Sequence, residues 1–522
     1  MQTREAGMDV RDWFLSAAER GNPATVLDRR HPGGTPWTEG NHVVPLVHGA
    51  TYFGELRRRL DALEAGDLVM FVDWRGDPDE RLDGSPDSAI GAVLARAAAR
   101  GVDVRGLIWR SHWDRLSFSS AENRHIGEEI NAAGGQCLLD MRVRVGGSHH
   151  QKFVVLRHPA RPHLDIAFLG GIDLCHSRRD DHSHRGDPQT QPMAAAYGSR
   201  PPWHDVQLAI TGPAVGDVEA VFRERWDDPQ PPGRSPLRWL GDRLHHDNIR
   251  TTPLPPQEPD PAPTGSHPVQ LLRTYPKRLG GYPFAPRGER SVARGITKAL
   301  AGAKHLIYVE DQYLWSPQVA TAFADALKRE PGLRLVAVLP HLPDQDGRIS
   351  KPPNLLGRSH LMNQLKEAAP GRVAFYGVEN AAGTPVYVHA KVCIVDDEWA
   401  NVGSDNFNRR SWTHDSEVSA AVYHQDYARG LRTTLAREHL GRLDDDSAPL
   451  PLSDVFDAYA SAAAALSAWH DGGRVGTRPP GQLRPIKDPV LSARTRSWAE
   501  VLYRVVYDPD GRPLTMRLRG QL

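Results

Sequence analysis

Short runs of consecutive apolar residues alternate along the chain with segments whose apolar residues recur at helical spacing. In the first half, apolar runs typical of strands occupy 68–74, 104–109 and 149–156. Between the first two runs, helical periodicity passes through Ile90, Val93, Leu94, Ala97 and Ala98. In the second half, strand-like runs at 305–315, 333–340 and 388–397 accompany a helical segment at 318–328. Strands that alternate with helices predict an α/β fold.

The two halves repeat the same order of elements at nearly the same spacing. Leu68 precedes His150 by 82 positions, and Leu306 precedes His389 by 83. A repeat of this length indicates a duplicated supersecondary unit. We therefore expect two similar α/β lobes with mixed sheets flanked by helices.

Proline-rich sequence separates the two lobes and suggests the division of the chain. Clustered prolines interrupt both helices and central strands, so residues 229–268 are predicted to be a linker. The predicted parts are an N-terminal extension at 1–40, a first lobe at 41–228, the linker, a second lobe at 269–440, and a helical segment with a basic tail at 441–522.

Each lobe places a histidine two residues before a lysine in a strand-like run, as His150 with Lys152 and His389 with Lys391. Residues i and i+2 of a strand point to the same face, so each imidazole shares its face with an ammonium group. The imidazole can attack phosphorus or move a proton, and the lysine can neutralise phosphoryl oxygens. The pattern indicates phosphodiester chemistry.

Each motif is followed by a glycine-containing turn. Gly170 and Gly171 form the first turn, and Gly403 and Ser404 form the second, with Asn406 close behind. These turns permit close backbone approach and offer N–H groups to a phosphate, while Asn406 adds a neutral donor.

An acidic residue then opens a further strand in each half, Asp205 in the first and Glu417 in the second. A carboxylate that bonds to one imidazole nitrogen fixes its tautomer and supports its developing positive charge. A single His-x-Lys pair, glycine turn or acidic residue occurs often by chance. The whole series appears twice in the same order, which favours a catalytic role for the four motif residues and the two acids.

Composition restricts the partners of the chain. Sixty-four basic and 64 acidic side chains give a formal net charge of zero, which argues against a nucleic-acid partner. The sequence shows neither the apolar core of a signal peptide nor the roughly 20 apolar residues of a membrane span. We expect a soluble, cytoplasmic protein that visits the membrane surface if its substrate is a lipid. Cys137, Cys175 and Cys393 are expected to be buried thiols.

Histidines at 176, 182 and 184, near Asp180 and Asp181, offer potential metal ligands. Their polar surroundings favour a solvated or cleft-lining loop, so no metal is predicted.

Both motifs resemble the signature of the phospholipase D superfamily, His-x-Lys-x4-Asp followed by a Gly-Gly or Gly-Ser turn. The second copy matches it at His389, Lys391, Asp396, Gly403, Ser404 and Asn406. In the first copy Arg157 stands at the position of the signature aspartate, and either Asp165 replaces this structural carboxylate or the loop does without it. Asp173 stands where some bacterial members have an asparagine that faces phosphate. The segment 308–315 resembles a further family strand, and the resemblance covers roughly 40–440.

The resemblance implies two lobes that share one active site in a monomeric chain. His150 would be the nucleophile that forms a phosphohistidine, and His389 the general acid and base. Lys152, Lys391 and Asn406 would hold the phosphoryl oxygens, and the two acids would orient the imidazoles. It implies no cofactor and no metal.

The resemblance favours a phospholipase D that hydrolyses glycerophospholipids or transfers their phosphatidyl group at a membrane surface. Aromatic residues at 111–120, including Trp113 and Phe118, and at 280–286 are candidates for membrane contact. The alternatives are a phosphatidyltransferase of the cardiolipin-synthase kind, a nuclease and an inactive scaffold that binds lipid or phosphate. Head-group preference and the balance of hydrolysis and transfer stay open.

Overall fold

A computed structural model describes residues 9–111, 120–231, 251–443, 448–489 and 491–519. The strands are β1 Thr38–Val47, β2 Leu68–Asp73, β3 Asp103–Trp109, β4 Gln136–Asp140, β5 Phe153–Arg157, β6 Ile166–Gly170, β7 Trp203–His204, β8 Val206–Thr211, β9 His267–Tyr275, β10 Glu289–Arg290, β11 Leu306–Glu310, β12 Arg334–Val338, β13 Val373–Glu379, β14 Pro385–Val388, β15 Val392–Val395, β16 Trp399–Gly403, β17 Glu417–Tyr423 and β18 Leu483–Pro485.

The helices lie mainly between strands. They are α1 Val10–Trp13, α2 Ala17–Arg20, α3 Gly49–Asp61, α4 Ile90–Ala99, α5 Ser120–Ala132, α6 Ala214–Trp226, α7 Ser291–Gly302, α8 Pro317–Arg329, α9 Lys351–Ala368, α10 Arg409–Thr413, α11 Gln425–His439, α12 Val455–Asp471, α13 Ala493–Leu502 and α14 Leu514–Leu518. Within the described ranges, none of these helices combines the length and apolarity needed to cross a bilayer.

The two lobes contain sheets with the same strand order. The first sheet runs β4-β3-β2-β5-β6-β8-β1, and the second runs β13-β12-β11-β15-β16-β17-β9. In both, the first three strands are parallel and the others are antiparallel. An antiparallel contact between β1 and β9 joins the sheets. The predicted duplicated α/β fold with mixed sheets is confirmed.

The apolar runs are continuous because each sheet is covered on both faces. In β2, Met70 and Val72 point into a central core shared by both sheets, and Val69 and Phe71 point into an outer core under α3, α4 and α5. Helices α6 and α11 complete the central core, and α7, α8 and α9 cover the outer face of the second sheet. A strand with two buried faces has no solvent-facing position to fill with polar residues.

Segments outside the repeat also pack onto the second lobe. In the N-terminal segment, Trp13 and Phe14 pack into the second outer core, and Leu15 exchanges backbone hydrogen bonds with the side chain of Gln270. From the C-terminal segment, β18 pairs with β13 and extends the second sheet. The domain boundaries predicted from sequence stay a prediction, and residues 232–250 of the linker lie outside the described residues.

Of the two aromatic loops predicted to touch a membrane, the loop at 280–286 is fully described by the structure. Trp113 and Phe118 lie outside the described residues. The prediction is wrong for 280–286, because Tyr282 and Phe284 are buried against Tyr275. Tilted and edge-on packing against a neighbouring aromatic ring, which sequence spacing does not show, removes both rings from the surface. The three cysteines are buried and unpaired, as predicted.

Candidate active site

The two His-x-Lys motifs lie on extended residues where the lobes meet. The His150 backbone N–H donates to the carbonyl of Ser416 at 2.9 Å, and that of His389 donates to the carbonyl of His204 at 2.7 Å. In each pair the histidine belongs to one lobe and the acceptor to the other. Parallel pairing of β7 with β14 adds to this contact. The lobes therefore share a single site.

Each imidazole is bonded to the acidic residue of the opposite lobe. His150 Nδ1 lies 2.9 Å from Glu417 Oε2, and His389 Nδ1 lies 2.6 Å from Asp205 Oδ2. Both carboxylates are completely buried. With Nδ1 held by a carboxylate, Nε2 of each ring is the nitrogen available for chemistry. The sequence did not predict that each histidine would bond to the acidic residue of the opposite lobe.

The two lysines are buried beside the histidines that they follow. Lys152 Nζ donates to the His150 carbonyl at 2.9 Å and lies 3.4 Å from Asp173 Oδ1. Lys391 Nζ donates to the His389 carbonyl. Both ammonium groups are thus fixed by backbone contacts, which concentrates positive charge in a buried site where an anion would be stabilised.

The protonation of these groups follows from their burial. Burial and the neighbouring lysines hold the pKa values of His150 and His389 well below the usual range. Burial lowers the pKa of Lys391 to about 8, an effect that Asp205 partly opposes. Burial raises the pKa of Glu417 to about 8, with a further contribution from another carboxylate. The free imidazoles are therefore neutral, which is the form that can attack phosphorus.

Glycine is required in both turns because the next strand approaches closely. A Cβ at Gly171 would lie 2.2 Å from Asp205 Oδ1, and one at Gly403 would lie 2.1 Å from Ser419 Cβ. A Cβ at Gly170 would lie 2.5 Å from the side chain of Gln207. The Gly171 N–H donates to a sheet carbonyl at 3.1 Å. The absence of a side chain at these glycines thus lets the strands that carry Asp205 and Glu417 pack closely. Phosphate binding by Gly171 stays a prediction.

The other predicted phosphate ligands lie near the imidazoles but have differing contacts. Ser404 Oγ donates to Glu417 Oε2 at 2.5 Å, so this hydroxyl positions the acid. Asn406 is buried, and its Oδ1 has no hydrogen-bond partner among the described residues. Lys152 and Arg178 hold the pKa of Asp173 below its usual range despite burial. A role in phosphate binding for these residues stays a prediction.

The signature aspartate has different surroundings in the two copies. Asp396 accepts three backbone N–H groups, from Lys304, His305 and Leu306, which fixes the start of β11. In the first copy, Arg157 contacts Asp165 at 3.3 Å, and Asp165 accepts the His158 N–H at 2.6 Å. A buried ion pair therefore occupies the place of the missing carboxylate.

Four residues near the motifs were not predicted as site residues. Trp74 lies edge-on to His150 at 6.0 Å, and Trp203 lies 4.9 Å from His389, measured between ring centroids. The Arg178 guanidinium stacks on Trp203 at 3.9 Å. Gln312 Oε1 accepts a bond from Lys391 at 3.4 Å. Only Gln312 had a sequence signal, since it lies in the segment at 308–315.

The loop at 176–187, predicted to be solvated or to line a cleft, is exposed in part and buried in part. Arg178, Asp180 and His184 are buried, whereas His182 is exposed. Full solvation is excluded for the buried residues, because His184 bonds at 3.0 Å to Glu438 on a helix of the second lobe.

Comparisons with known proteins agree with this geometry. The Phospholipase D family profile matches residues 64–237, and the profile described as Cardiolipin synthase, PLD-like domain matches 296–438. The chain is 26% identical to Phospholipase D alpha 1 of Cynara cardunculus, and the match covers 71% of this chain and 60% of the relative. It is also 26% identical to Phospholipase D alpha 1 of Arabidopsis thaliana, with 74% and 63% covered.

One solved structure shares the fold. Phosphatidylserine synthase from Haemophilus influenzae Rd KW20 has a TM-score of 0.51 at 12% identity, with 81% of this chain and 93% of that chain covered. The chain spans about 60% of the length of the curated relatives that it matches. With two matching family profiles and two reciprocal histidine–carboxylate pairs at one interface, the chain belongs to the phospholipase D superfamily.

Proposed function

We propose that the chain is a phospholipase D-type phosphodiesterase that cleaves glycerophospholipids through a phosphohistidine. This proposal rests on the bonding of each histidine to the acidic residue of the opposite lobe. This bonding leaves two outward imidazole nitrogens beside two buried ammonium groups, which suits a two-step displacement at phosphorus.

In the first step, His150 Nε2 attacks phosphorus and the bond from phosphorus to the head-group oxygen breaks. A proton on His389 Nε2 passes to the departing oxygen, and the head-group alcohol leaves. Lys152 and Lys391 neutralise the non-bridging oxygens. The bound phosphodiester anion offsets the positive charge of the lysines, which lets His389 hold the proton that it donates.

In the second step, His389 takes a proton from water or an alcohol, whose oxygen attacks phosphorus. The bond from phosphorus to His150 breaks and returns the neutral imidazole. Water gives phosphatidic acid, and an alcohol gives a phosphatidyl alcohol. Glu417 stabilises the cationic His150 adduct, and Asp205 the protonated form of His389.

A surface near the site supports a lipid substrate. Val145, Leu279, Leu514 and Leu518 are 95%, 88%, 68% and 79% exposed. The Arg144 guanidinium joins their segments, because it donates to the carbonyls of Gly511 at 2.6 Å and Lys277 at 3.4 Å. Exposed aliphatic side chains around a basic residue suit an anionic or zwitterionic membrane surface. We therefore propose a cytoplasmic enzyme that binds membranes peripherally through this surface.

The test is transphosphatidylation of phosphatidylcholine vesicles with a primary alcohol in the presence of chelator. We expect wild type to form phosphatidyl alcohol and choline, and His150→Ala and His389→Ala to form neither. Lys366→Ala, at an exposed surface ion pair, is the control. Turnover of an oligonucleotide with no turnover of any phospholipid would refute the lipid proposal.

The second candidate is a phosphatidyltransferase, which the Cardiolipin synthase profile over 296–438 favours. The same vesicle assay with phosphatidylglycerol as donor and acceptor separates the two. Cardiolipin as the main product would support the transferase, and phosphatidic acid would support the phospholipase. Because one chain supplies both motifs, we propose a monomer, and light scattering at working concentration tests this.

A further inference from the structure

Three histidines and a glutamate converge in the buried region behind the active site. His48 Nε2 lies 2.7 Å from Glu438 Oε2, and His184 Nε2 and His204 Nδ1 lie 3.0 and 3.3 Å from Glu438 Oε1. The potential ligand atoms all lie within 4.8 Å of one another. All four side chains are buried, so a single carboxylate faces three imidazoles without water to separate them.

The four residues come from separate segments and from both lobes. His48 connects β1 to α3, His184 lies in the loop after β6, and His204 ends β7, all in the first lobe. Glu438 lies in the last turn of α11 in the second lobe. A cation bound here would join the lobes beside the pairing of β7 with β14.

A further carboxylate bonds to one of the rings, and another lies near a second ring. His204 Nε2 lies 2.6 Å from Glu310 Oε2, and His184 Nδ1 lies 3.8 Å from Asp180 Oδ2. Protons on these two nitrogens leave lone pairs on His204 Nδ1 and His184 Nε2, which face Glu438. Metal-bound histidines have this arrangement, with the remote N–H directed to a carboxylate.

Hydrogen bonds alone leave this cluster with an electrostatic problem. A neutral His204 has one N–H and meets a carboxylate at each nitrogen, so one carboxylate would face its lone pair. Glu438 Oε1 would also receive both His184 and His204 at short range. Against the effect of burial, Glu310 and Glu438 raise the pKa of His204 to about 10, so the metal-free cluster holds a cationic ring between these carboxylates; a bound cation would supply that positive charge instead.

We propose that His48, His184, His204 and Glu438 bind a divalent transition metal of the Zn²⁺ class. Imidazole and carboxylate ligands suit zinc, with bonds of about 2.0–2.2 Å. Tetrahedral ligands at such bond lengths lie about 3.4 Å apart. The distances from the imidazoles to Glu438, 2.7–3.3 Å, are shorter than this value by about 0.1–0.7 Å, and the other ligand atoms lie within 4.8 Å of one another, so side-chain shifts of less than about 1.5 Å would give all four the required spacing.

The metal has a positioning role and takes no part in the proposed reaction. The His204 carbonyl accepts the His389 N–H, and the next residue, Asp205, bonds to the His389 ring. The His48 N–H donates to the Asp205 carbonyl at 2.9 Å. Two of the ligands therefore fix the backbone that holds the acid against His389. The inference stands independently of the proposed substrate.

The first test is metal content of the whole purified chain. We expect one Zn²⁺ per chain after removal of all metal with a strong chelator, equilibration with Zn²⁺ and gel filtration in dilute chelator. Cobalt in the same site would give the intense visible absorption of a tetrahedral centre. Metal removal should lower the Tm of wild type, a readout that requires neither a variant nor activity. The absence of retained zinc, or retention without an effect on Tm, would overturn the proposal.

Two variants and a control test the ligands. Glu438→Gln and His48→Ala should weaken zinc binding at least about 100-fold, beyond the 10–100-fold typical of outer partners. His158→Gln is the control, because His158 is a buried histidine that lies 3.3 Å from the Asp165 carboxylate and does not belong to the cluster. Zinc retention by a folded Glu438→Gln or His48→Ala, or its loss in His158→Gln alone, would overturn the proposed ligand set. If a variant fails to fold, the Tm shift and the cobalt spectrum of the wild-type chain determine whether the metal site exists.

Discussion

Because Glu417 and Asp205 hold different histidines, the matched substitutions Glu417→Gln and Asp205→Asn should cause different kinetic defects. Each replaces a buried carboxyl group with an amide of the same shape, and so removes the negative charge that the carboxyl takes up when its partner imidazole becomes cationic. An imidazolium and a carboxylate about 4 Å apart interact by about 4 kcal/mol at an effective dielectric constant of 20. Because 1.36 kcal/mol is a factor of ten in rate, each substitution should slow the step that it supports about 10³-fold.

The assay uses a phosphatidyl ester with 4-nitrophenol as the leaving group, which departs without a proton. In Glu417→Gln the attack by His150 loses its supporting charge, so we expect slow release of nitrophenol without a burst. In Asp205→Asn the attack stays fast, and we expect a burst of one nitrophenol per site. Turnover after the burst should be about 10³-fold slow, because His389 no longer activates water efficiently.

The outcome decides the roles of the two histidines. A burst in Glu417→Gln with none in Asp205→Asn would exchange the nucleophile and the general base. Equal defects in both steps for both variants would refute the division of roles altogether. Asp61→Asn, an exposed carboxylate on α3, should behave as wild type.

Three further predictions concern the framework of the site. Asp396→Ala should lower the free energy of unfolding by about 3–5 kcal/mol, because it leaves three N–H groups at β11 without their acceptor, and urea denaturation measures this. Because the pKa of Lys391 is about 8 and its charged form exists below that pH, kcat/KM should fall as pH rises above 8, whereas Lys391→Arg should show no such fall. Gly171→Ala should destabilise the protein by about 1–3 kcal/mol and lower kcat, since its Cβ would displace Asp205; an unchanged Tm would contradict this close contact.

The sequence predicted the fold well because burial on both faces of a strand leaves a continuous apolar run that can be read directly from the sequence. A strand such as β2 is covered on both faces and so carries apolar side chains without interruption. The repeat then predicted that the two lobes have the same fold, since both contain the same elements in the same order at nearly equal spacing. The same repeat identified the His-x-Lys residues of both motifs.

The sequence did not predict which residues meet across the lobe interface. Spacing indicated that Asp205 and Glu417 precede strands, but contacts over 184 and 267 positions have no periodicity that reveals them. Arg178 and His184 lie in a loop whose polar composition is typical of the surface, and a single charged partner in another lobe buries His184. Burial of a polar loop depends on what covers it, which composition does not show.

The reciprocal pairing of histidines and acids also has a consequence during protein synthesis. His150 leaves the ribosome 267 residues ahead of Glu417. At about 5–20 residues per second, the first lobe waits roughly 15–50 s for its acid. Until then the proposed nucleophile lacks the carboxyl group that holds its ring. The proposed reaction would therefore begin only when translation has passed the second lobe and the lobes have docked.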